Sequence, residues 1–481
     1  MPHSRSNMEG AVDKPDREEL MFTSKYLGEP QLLFADGGEC VDPRLGIGTF
    51  GPESLGTARH PASIRAGFIG AADDVDAAKE WLQRISYGVS VNEGEQPFAG
   101  FREDRGFFSE LRFSTDWDDT LSRSELKDLK SKASEREAFE ATHVLLREKT
   151  RLLCERDTLP NVLVLALPQG LVDAARVADY WEGERGQVHR DLRRAFKASA
   201  MRFGIPTQIM LGRTVKGGKG VDLEERRAWN LLTAMYFKSG GVPWKPVGLT
   251  EGTCYVGVSF YRPLGTANTL RTSVAMAFDE SGEGLILRGQ EFQWSEDDGP
   301  SPHLSAAQAE GLLSATLARY RQERKTTPRR VVVHKTSAFW PHERDGFEAA
   351  LSRQVSSFDL VAFMPTSHTR LIRQGQYPPL RGTWFSAEDL DFLYTTGYVP
   401  ELGGYAHGHV PAPLRISDHV GGDTGREHLL REILILTKLN WNSANLGGVM
   451  PITLRFSRLV GDVLREMPDG EPPRPQFKFY V

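Results

Sequence analysis

The sequence predicts an α/β protein with two successive sheets, and two observations carry that prediction. The first is a continuous apolar run at residues 161–168, NVLVLALP, which is typical of a buried parallel strand and is followed by alternating helical and strand-like segments. The second is a series of three strand-like runs after residue 250, TCYVGVSFY, TSVAMAFD and EGLILRG, with turn residues between them. A parallel layer followed by an antiparallel meander is therefore expected.

Later elements extend the second layer. A helix at 305–323 and the buried strand RRVVVHK follow the meander, and this order of elements is that of a ribonuclease-H-like fold. Apolar periodicity and flanking Gly or Pro predict the other principal helices at residues 71–84, 187–203, 223–239, 346–353, 426–438 and 457–466.

Length and composition bound the class of protein. The chain has 481 residues, 59 basic against 64 acidic side chains and a net charge of -5, and at roughly 150 residues per domain it should hold two to three domains. No run approaches the roughly 18 to 20 apolar residues of a membrane helix. The polar first residues lack a signal-peptide core, and three scattered cysteines fit a reducing compartment. A cytoplasmic protein with no membrane contact is expected.

Composition shifts suggest where the chain divides. Residues 1–20 are charged and lack apolar periodicity, so they are expected to form a disordered tail. Gly and Pro cluster at 240–248, which predicts a linker there. The expected organisation is therefore a first domain within residues 21–244 and a second within 245–481.

Three short motifs resemble ligand sites but are better explained without a ligand. Residues 46–51 match G-x-G-x-x-G, but Pro52 follows at once, so a loop is favoured over a dinucleotide site. Residues 217–220 lack the spacing of a phosphate-binding P-loop and predict a surface turn. No helical histidine spacing or cysteine pair supports a metal site in a cluster of possible ligands, which are His407, His409, Asp418 and His419.

The helix expected at 187–203 is the most informative segment. It is strongly basic, and Arg193 and Lys197 are four residues apart, which makes them neighbours on the helix surface. Like charges in that arrangement repel each other, and an anion between them would remove the repulsion. A solvated basic face is the simpler alternative.

This helix and the segment after it resemble the guide 5′-phosphate pocket of Argonaute MID domains, a Rossmann-like α/β fold. That pocket has a residue pair four apart, then a Gln after a short turn, then a Lys before Gly-Gly. Carried over, the resemblance assigns the phosphate contacts to Arg193, Lys197, Gln208 and Lys238. A further lysine found in many members, four residues before Lys238, is Ala234 in this chain.

The second half resembles an Argonaute PIWI domain. TCYVGVSFY is similar to its first strand, VVVHKTSAF to a later catalytic strand, and PQFKFYV to the aromatic-rich tail on which Argonautes end. The resemblance implies that the Val481 carboxylate and Gln208 hold a Mg²⁺ ion beside the guide phosphate.

The PIWI resemblance also implies that this chain does not cut. Slicers hold two metal ions with carboxylates. The first carboxylate position is Ser259 and the next is Thr336, and the segment 440–455, where the fourth ligand is expected, contains no Asp, Glu or His. A hydroxyl cannot replace a bridging carboxylate on Mg²⁺.

In length and layout the chain is similar to the short prokaryotic Argonautes. That resemblance implies a recognition subunit that loads a 5′-phosphorylated guide RNA, pairs it with single-stranded target DNA, and works in a heterodimer with an APAZ-containing effector. The effector would be a Sir2 or TIR NADase, or less often a nuclease. Its activation, which could involve higher oligomers, would deplete NAD and give plasmid interference or antiviral defence by abortive infection. Two alternatives stay open, an active slicer and a stand-alone α/β enzyme that binds a phosphorylated small molecule.

Overall fold

The computed structural model describes residues 22–481 except 92–95, 184–185, 267–268, 277–283, 295–296, 298, 300, 388–389, 406–407 and 469. The tail expected at 1–20 lies outside the described residues. Twelve α-helices are present in the described ranges: Pro43–Phe50, Ala72–Ser86, Arg123–Lys130, Glu135–Cys154, Gln169–Ala175, Leu192–Ala200, Gly212–Lys216, Glu224–Lys238, Ala306–Arg324, Pro341–Ser352, Arg426–Leu436 and Ile452–Leu464. No helix among those described is both long and apolar enough to cross a membrane.

The first sheet is the predicted parallel layer. Its five strands all run parallel, with Val162–Leu167 between Thr207–Leu211 and Ser63–Ala71, and with Glu110–Arg112 and Asp118–Leu121 both pairing with Ser63–Ala71. Every residue of Val162–Leu167 is buried because helices cover both faces of the sheet.

The second sheet has nine strands and contains the predicted meander. Three adjacent strands, Ser357–Pro365, Arg330–Lys335 and Thr253–Tyr261, are parallel to one another. The other neighbouring strands pair antiparallel, including the meander strands Thr269–Met276 and Leu285–Gln293. The strand order is Phe22–Tyr26, Thr383–Ala387, Leu390–Leu393, Leu414–Val420, Ser357–Pro365, Arg330–Lys335, Thr253–Tyr261, Thr269–Met276, Leu285–Gln293. The mixed α/β class with parallel sheets is confirmed.

Small β elements complete the fold. A hairpin pairs Val177–Trp181 with Gln187–Asp191, and Phe101–Arg102 pairs with Arg105–Gly106. A third small sheet joins the beginning of the first half to the beginning of the second, because Leu32–Leu33 pairs with Glu39–Cys40 and with Lys245–Pro246.

One helix brings the two sheets together. Ile452–Leu464 packs on the strand Thr253–Tyr261, so closely that a Cβ at Gly257 would lie 2.1 Å from the Thr453 carbonyl oxygen. Its far side faces the helix Leu192–Ala200, where Arg194 donates to Asp462 at 2.9 Å. The helix Leu192–Ala200 is thereby fixed against the second half of the chain.

Three predictions about local structure were wrong. The G-x-G-x-x-G segment is helical rather than a loop, because the Asp42 carboxylate caps the first turn and Pro43 starts it. The basic helix begins at Leu192, since residues 187–191 form a hairpin strand that ends at Asp191. The last long helix begins at Ile452, five residues before the predicted start.

Candidate functional site

The helix Leu192–Ala200 positions the first basic residues. The Asp191 carboxylate accepts a hydrogen bond from the Arg194 amide and caps the helix. Leu192 and Phe196 are buried in the core of the first sheet, as the apolar periodicity predicts. Lys197 is only 3% exposed despite its charge, whereas Arg193 is exposed at the helix surface.

Lys197 links the first half of the chain to its last residue. Its Nζ donates to the Thr207 carbonyl oxygen at 3.2 Å and to the Val481 main-chain oxygen at 2.5 Å. Val481 is fully buried. Residues that are 284 positions apart in sequence therefore meet in one site.

Lys238 and Gln208 form the second pair. Lys238, 1% exposed, donates from Nζ to the Gln208 Oε1 at 2.5 Å. The two glycines that follow this helix have a steric role. Gly240 has φ +102°, and a Cβ at Gly241 would lie 2.2 Å from the Tyr236 ring, so a side chain at either position would disturb the turn after Lys238.

Burial and the charges of their neighbours lower the pKa values of these basic groups. Burial, then the charges of Lys238 and Arg193, hold the pKa of Lys197 well below its ordinary value. Burial and the charge of Arg193 lower the pKa of Lys238 to about 7. Among the described residues, no carboxylate side chain lies within ion-pair distance of either lysine. The two lysines therefore lie in a buried positive region whose described partners are the Thr207, Gln208 and Val481 oxygens and include no acidic side chain.

The last residues are held by aromatic packing. The Phe477 ring stacks on Phe456 with centroids 3.5 Å apart, and the Tyr480 hydroxyl donates to the Arg474 carbonyl oxygen at 2.9 Å. Phe477, Phe479, Tyr480 and Val481 all belong to the core of the second half. This packing fixes the position of the Val481 oxygen beside Lys197.

The oxygens at this site suit a hard divalent cation. Gln208 contributes an amide oxygen and Val481 a main-chain oxygen, and both now accept from lysines. Mg²⁺ takes oxygen ligands and commonly completes its octahedron with phosphate oxygens and water. The oxygens of Gln208 and Val481 therefore fit a Mg²⁺ ion that a bound phosphate group would also coordinate.

The histidine cluster does not assemble. His407 lies outside the described residues. The Asp418 carboxylate accepts from the Phe339 amide at 3.1 Å, whereas the His419 Nε2 lies 3.0 Å from the Asp359 carboxylate. No group of three or more His, Cys, Asp or Glu side chains in the described part of the chain could hold a metal ion.

Ser259 and Thr336 line one cavity of about 660 Å³ in the second half. Ser259 lies in the strand Thr253–Tyr261, and Thr336 directly follows its parallel neighbour Arg330–Lys335. Two further side chains in this cavity, Arg455 and Arg458, were not predicted from the sequence. Their three-residue spacing on an amphipathic helix was the available signal.

Beside this cavity lies a buried ion pair. Lys335 donates to the Glu343 carboxylate at 2.5 Å, and both side chains are almost completely buried. The other Glu343 oxygen accepts from the Leu304 amide at 3.2 Å. Each Glu343 carboxylate oxygen therefore accepts a hydrogen bond from within the fold.

The chain has an Argonaute-like fold. It is similar to the structure of Clostridium butyricum Argonaute bound to a guide DNA and a 19-mer target DNA, with TM-score 0.66, 15% identity, 96% of this chain covered and 55% of that one. For A. aeolicus Argonaute the values are 0.58, 16%, 94% and 54%, and for Drosophila Piwi 0.59, 11%, 95% and 56%. The chain therefore spans about half the length of these proteins. No family model matches the sequence, and no curated protein matches it.

Proposed function

We propose that this chain binds the 5′-phosphate of a guide RNA and senses a complementary single-stranded DNA target without cutting it. The observation that carries the proposal is the convergence of Lys197, Lys238, Gln208 and Val481 in a buried site. Two buried ammonium groups without an acidic side chain beside them would be stabilised in their charged form by an external anion. A terminal phosphate supplies that charge together with strong acceptor oxygens.

Each residue has a role in this proposal. Lys197 and Lys238 neutralise the phosphate, Arg193 contacts it from the exposed side, and Gln208 orients it. Gln208 and the Val481 oxygen would hold Mg²⁺ against the phosphate. The ion would supply positive charge there, and the lysines would supply the rest.

The absence of cleavage rests on the second half. Two-metal cleavage needs carboxylates that bridge two divalent ions. Ser259 and Thr336 offer hydroxyls, and the cavity they line contains arginines instead of acids. Glu343, which lies close by, is committed to Lys335.

A silent sensor needs a partner to produce an effect. By resemblance to short prokaryotic Argonautes, the partner is an APAZ-containing effector, either a Sir2 or TIR NADase or a nuclease. The guide–target duplex would act as the activating ligand, and it can do so only if the active complex binds duplex better than the resting complex. Activation would then arrest or kill a cell that carries a plasmid or phage.

Identifying the nucleic acid that copurifies with the chain tests the first part of the proposal, the binding of a guide RNA. We expect short RNA with a 5′-phosphate, and tighter binding of 5′-phosphate than of 5′-hydroxyl guides. Equal binding of the two guides would contradict the phosphate site. A preference for a phosphorylated metabolite, without bound RNA, would favour the stand-alone enzyme.

Two further assays test silence and sensing. The guide-loaded chain should not cleave complementary DNA or RNA in Mg²⁺ or Mn²⁺, and cleavage would identify an active slicer. The complex with its APAZ partner should consume NAD or degrade DNA only after complementary single-stranded DNA is added. An effector that ignores the target would contradict the sensor role.

A further inference from the structure

A buried carboxylate joins the two halves of the chain beside the site of Lys197 and Val481. Glu466 follows the last long helix of the second half, and its side chain is 1% exposed. Its Oε2 accepts from the Arg190 Nε at 2.9 Å, and its Oε1 accepts from the Asp191 amide at 3.2 Å. One side chain of the second half therefore holds two consecutive residues of the first half.

The residues that Glu466 holds define the start of the helix Leu192–Ala200. Asp191 is the N-cap residue of this helix, and its carboxylate caps the first turn. Arg193 and Lys197 lie within the first two turns after it. A shift of Asp191 would therefore move both basic side chains.

The opposite side of the site belongs to the same packed unit as Glu466. The helix Ile452–Leu464, Met467 and the last residues up to Val481 contribute to one hydrophobic core. Glu466 lies between that helix and Met467 in the chain, so its position is set by the core that also holds Val481. The contacts of Glu466 thus determine how far Lys197 lies from the Val481 oxygen.

Glu466 differs from the neighbouring contact between the halves in its burial. Arg194 and Asp462 also pair across the halves, but both side chains are about one-third exposed, so solvent and salt screen their attraction. The pair of Arg190 and Glu466 is largely buried and is screened much less. Arg190 also pairs with Glu140, which lies on a helix of the first half and does not bridge the two halves.

We propose that Glu466 is a positioning residue for guide binding. By holding Arg190 and the Asp191 amide, it fixes the start of the helix that carries Lys197. Lys197 is thereby kept at the distance from Val481 at which it can reach a guide phosphate. As a carboxylate, Glu466 would repel a phosphate, so it acts through the helix and not by contact. The inference rests on the proposed function, because it assigns a residue of the second half to the phosphate site.

The test compares the affinity of the full-length chain for 5′-phosphate and 5′-hydroxyl forms of one guide RNA. The variant E466Q keeps the shape of the side chain, but an amide has one acceptor oxygen and cannot receive both donors as the carboxylate does. The matched control is E140Q, which makes the same change in the other acid that pairs with Arg190. K197M and K197M/E466Q complete a double-mutant cycle.

A second variant, R190M/E466M, keeps the inference testable if E466Q does not fold. It removes both buried charges, and replacing a buried ion pair with apolar side chains commonly preserves stability. It also leaves the Asp191 amide without its acceptor, so guide discrimination should fall as it does in E466Q. Thermal melting shows which proteins are folded at the temperature of the binding assay.

We expect E466Q to bind the 5′-phosphate guide roughly three- to thirty-fold more weakly, because Lys197 is displaced but retained. Affinity for the 5′-hydroxyl guide should stay the same. E140Q should keep the ratio of the two affinities. In the K197M background, adding E466Q should change the ratio by less than about twofold, because no lysine remains to be positioned.

Failure of this inference differs from failure of the proposed function. A ratio equal to that of the unmodified chain in the folded Glu466 variants would overturn the positioning role, while guide binding would stand. An equal loss with and without Lys197, or an equal loss in E140Q, would also overturn it. If the unmodified chain does not distinguish the two guides, the proposed function itself is wrong.

Discussion

Buried basic side chains occur in both halves of the molecule, and the two sets differ in what balances their charge. In the second half Arg330 lies between two carboxylates, 2.8 Å from Asp359 and 2.7 Å from Glu432. In the first half the described partners of Lys197 and Lys238 are the Thr207, Gln208 and Val481 oxygens, and no acidic side chain is among them. A buried cation with an internal acid supports the fold, whereas one without an acid indicates a ligand.

The pKa shifts follow the same division. Burial opposes the charge of Arg330, but hydrogen bonds and charge from Glu432 and Asp359 overcome it and raise its pKa. Burial has no such opponent at Lys238, whose pKa falls to about 7. The lysine site is therefore unfavourable for charge until an anion binds, a distinction that mutation and pH titration can test.

The largest effect is expected from K197M/K238M. Each charge-assisted contact is worth about 1.5–3 kcal/mol, so the double variant should lose roughly 10²- to 10⁴-fold in affinity for a 5′-phosphate guide. Affinity for a 5′-hydroxyl guide should change far less. Filter binding or fluorescence anisotropy with both guides measures the difference.

The control for K197M/K238M is K127M/K130M, which removes two exposed lysines from the helix Arg123–Lys130. That variant should keep the preference for 5′-phosphate. The unfolding free energy of K197M/K238M is measured in parallel, because losing the hydrogen bonds to the Thr207, Val481 and Gln208 oxygens opposes the gain from removing buried charge. A variant that still discriminates between the two guides would show that the lysines do not contact the phosphate.

For the buried ion pair of Lys335 and Glu343 we expect the opposite result, a change in stability without a change in guide affinity. E343Q leaves Lys335 buried without its acid, which should lower the free energy of unfolding by about 3–5 kcal/mol. Guide affinity should be unchanged in the folded protein. Urea denaturation measures the first quantity, and K335M/E343L should recover most of the loss because no charge then remains buried. Full stability of E343Q would mean that the pair contributes little.

The sequence predicted the lysine site because its residues lie on elements with strong local signals. Val162–Leu167 is apolar throughout and is flanked by a turn, so a parallel strand was the natural expectation. Gln208 lies in the next predicted strand, and Lys238 ends a predicted helix. That these three elements meet near Val481 was predicted from the family resemblance and not from the periodicity of the sequence.

Other features depended on contacts that no local pattern contains. Phe22–Tyr26 is a strand only because it pairs with Thr383–Ala387, more than 350 residues later in the chain. Gly46 lies in the helix Pro43–Phe50, where a Cβ would lie 2.1 Å from the Phe34 ring, a close approach that the motif alone does not indicate. The basic lining of the cavity beside Ser259 and Thr336 depends likewise on a helix, Ile452–Leu464, that is distant in sequence.

A moderate effect is expected from adding residues after Val481. Because Val481 is completely buried and its oxygen contacts Lys197, an extension must displace it from the site. Loss of one charge-assisted contact predicts roughly ten- to a hundred-fold weaker binding of a 5′-phosphate guide. The same extension placed before Met1 serves as the control. Unchanged guide affinity and Mg²⁺ dependence would remove Val481 from the site.

The smallest effect is a pH dependence of guide binding. Lys238 has a pKa of about 7 without ligand, and a bound phosphate must raise it, so binding takes up a proton. Affinity should be highest below pH 7 and should decrease as pH rises through that value, by at most about tenfold per pH unit for this lysine. Below about pH 6 the phosphate itself becomes protonated, which sets the lower limit of the window.

The variant K238R tests whether Lys238 is the residue that causes this pH dependence. Arginine keeps its charge throughout the range, so the decrease in 5′-phosphate affinity between pH 7 and 9 should become shallower. The 5′-hydroxyl guide, measured at each pH, corrects for changes elsewhere on the protein. If the native chain and K238R show the same slope, Lys238 does not titrate on binding. The lysine would then behave like Arg330, whose charge is settled within the fold.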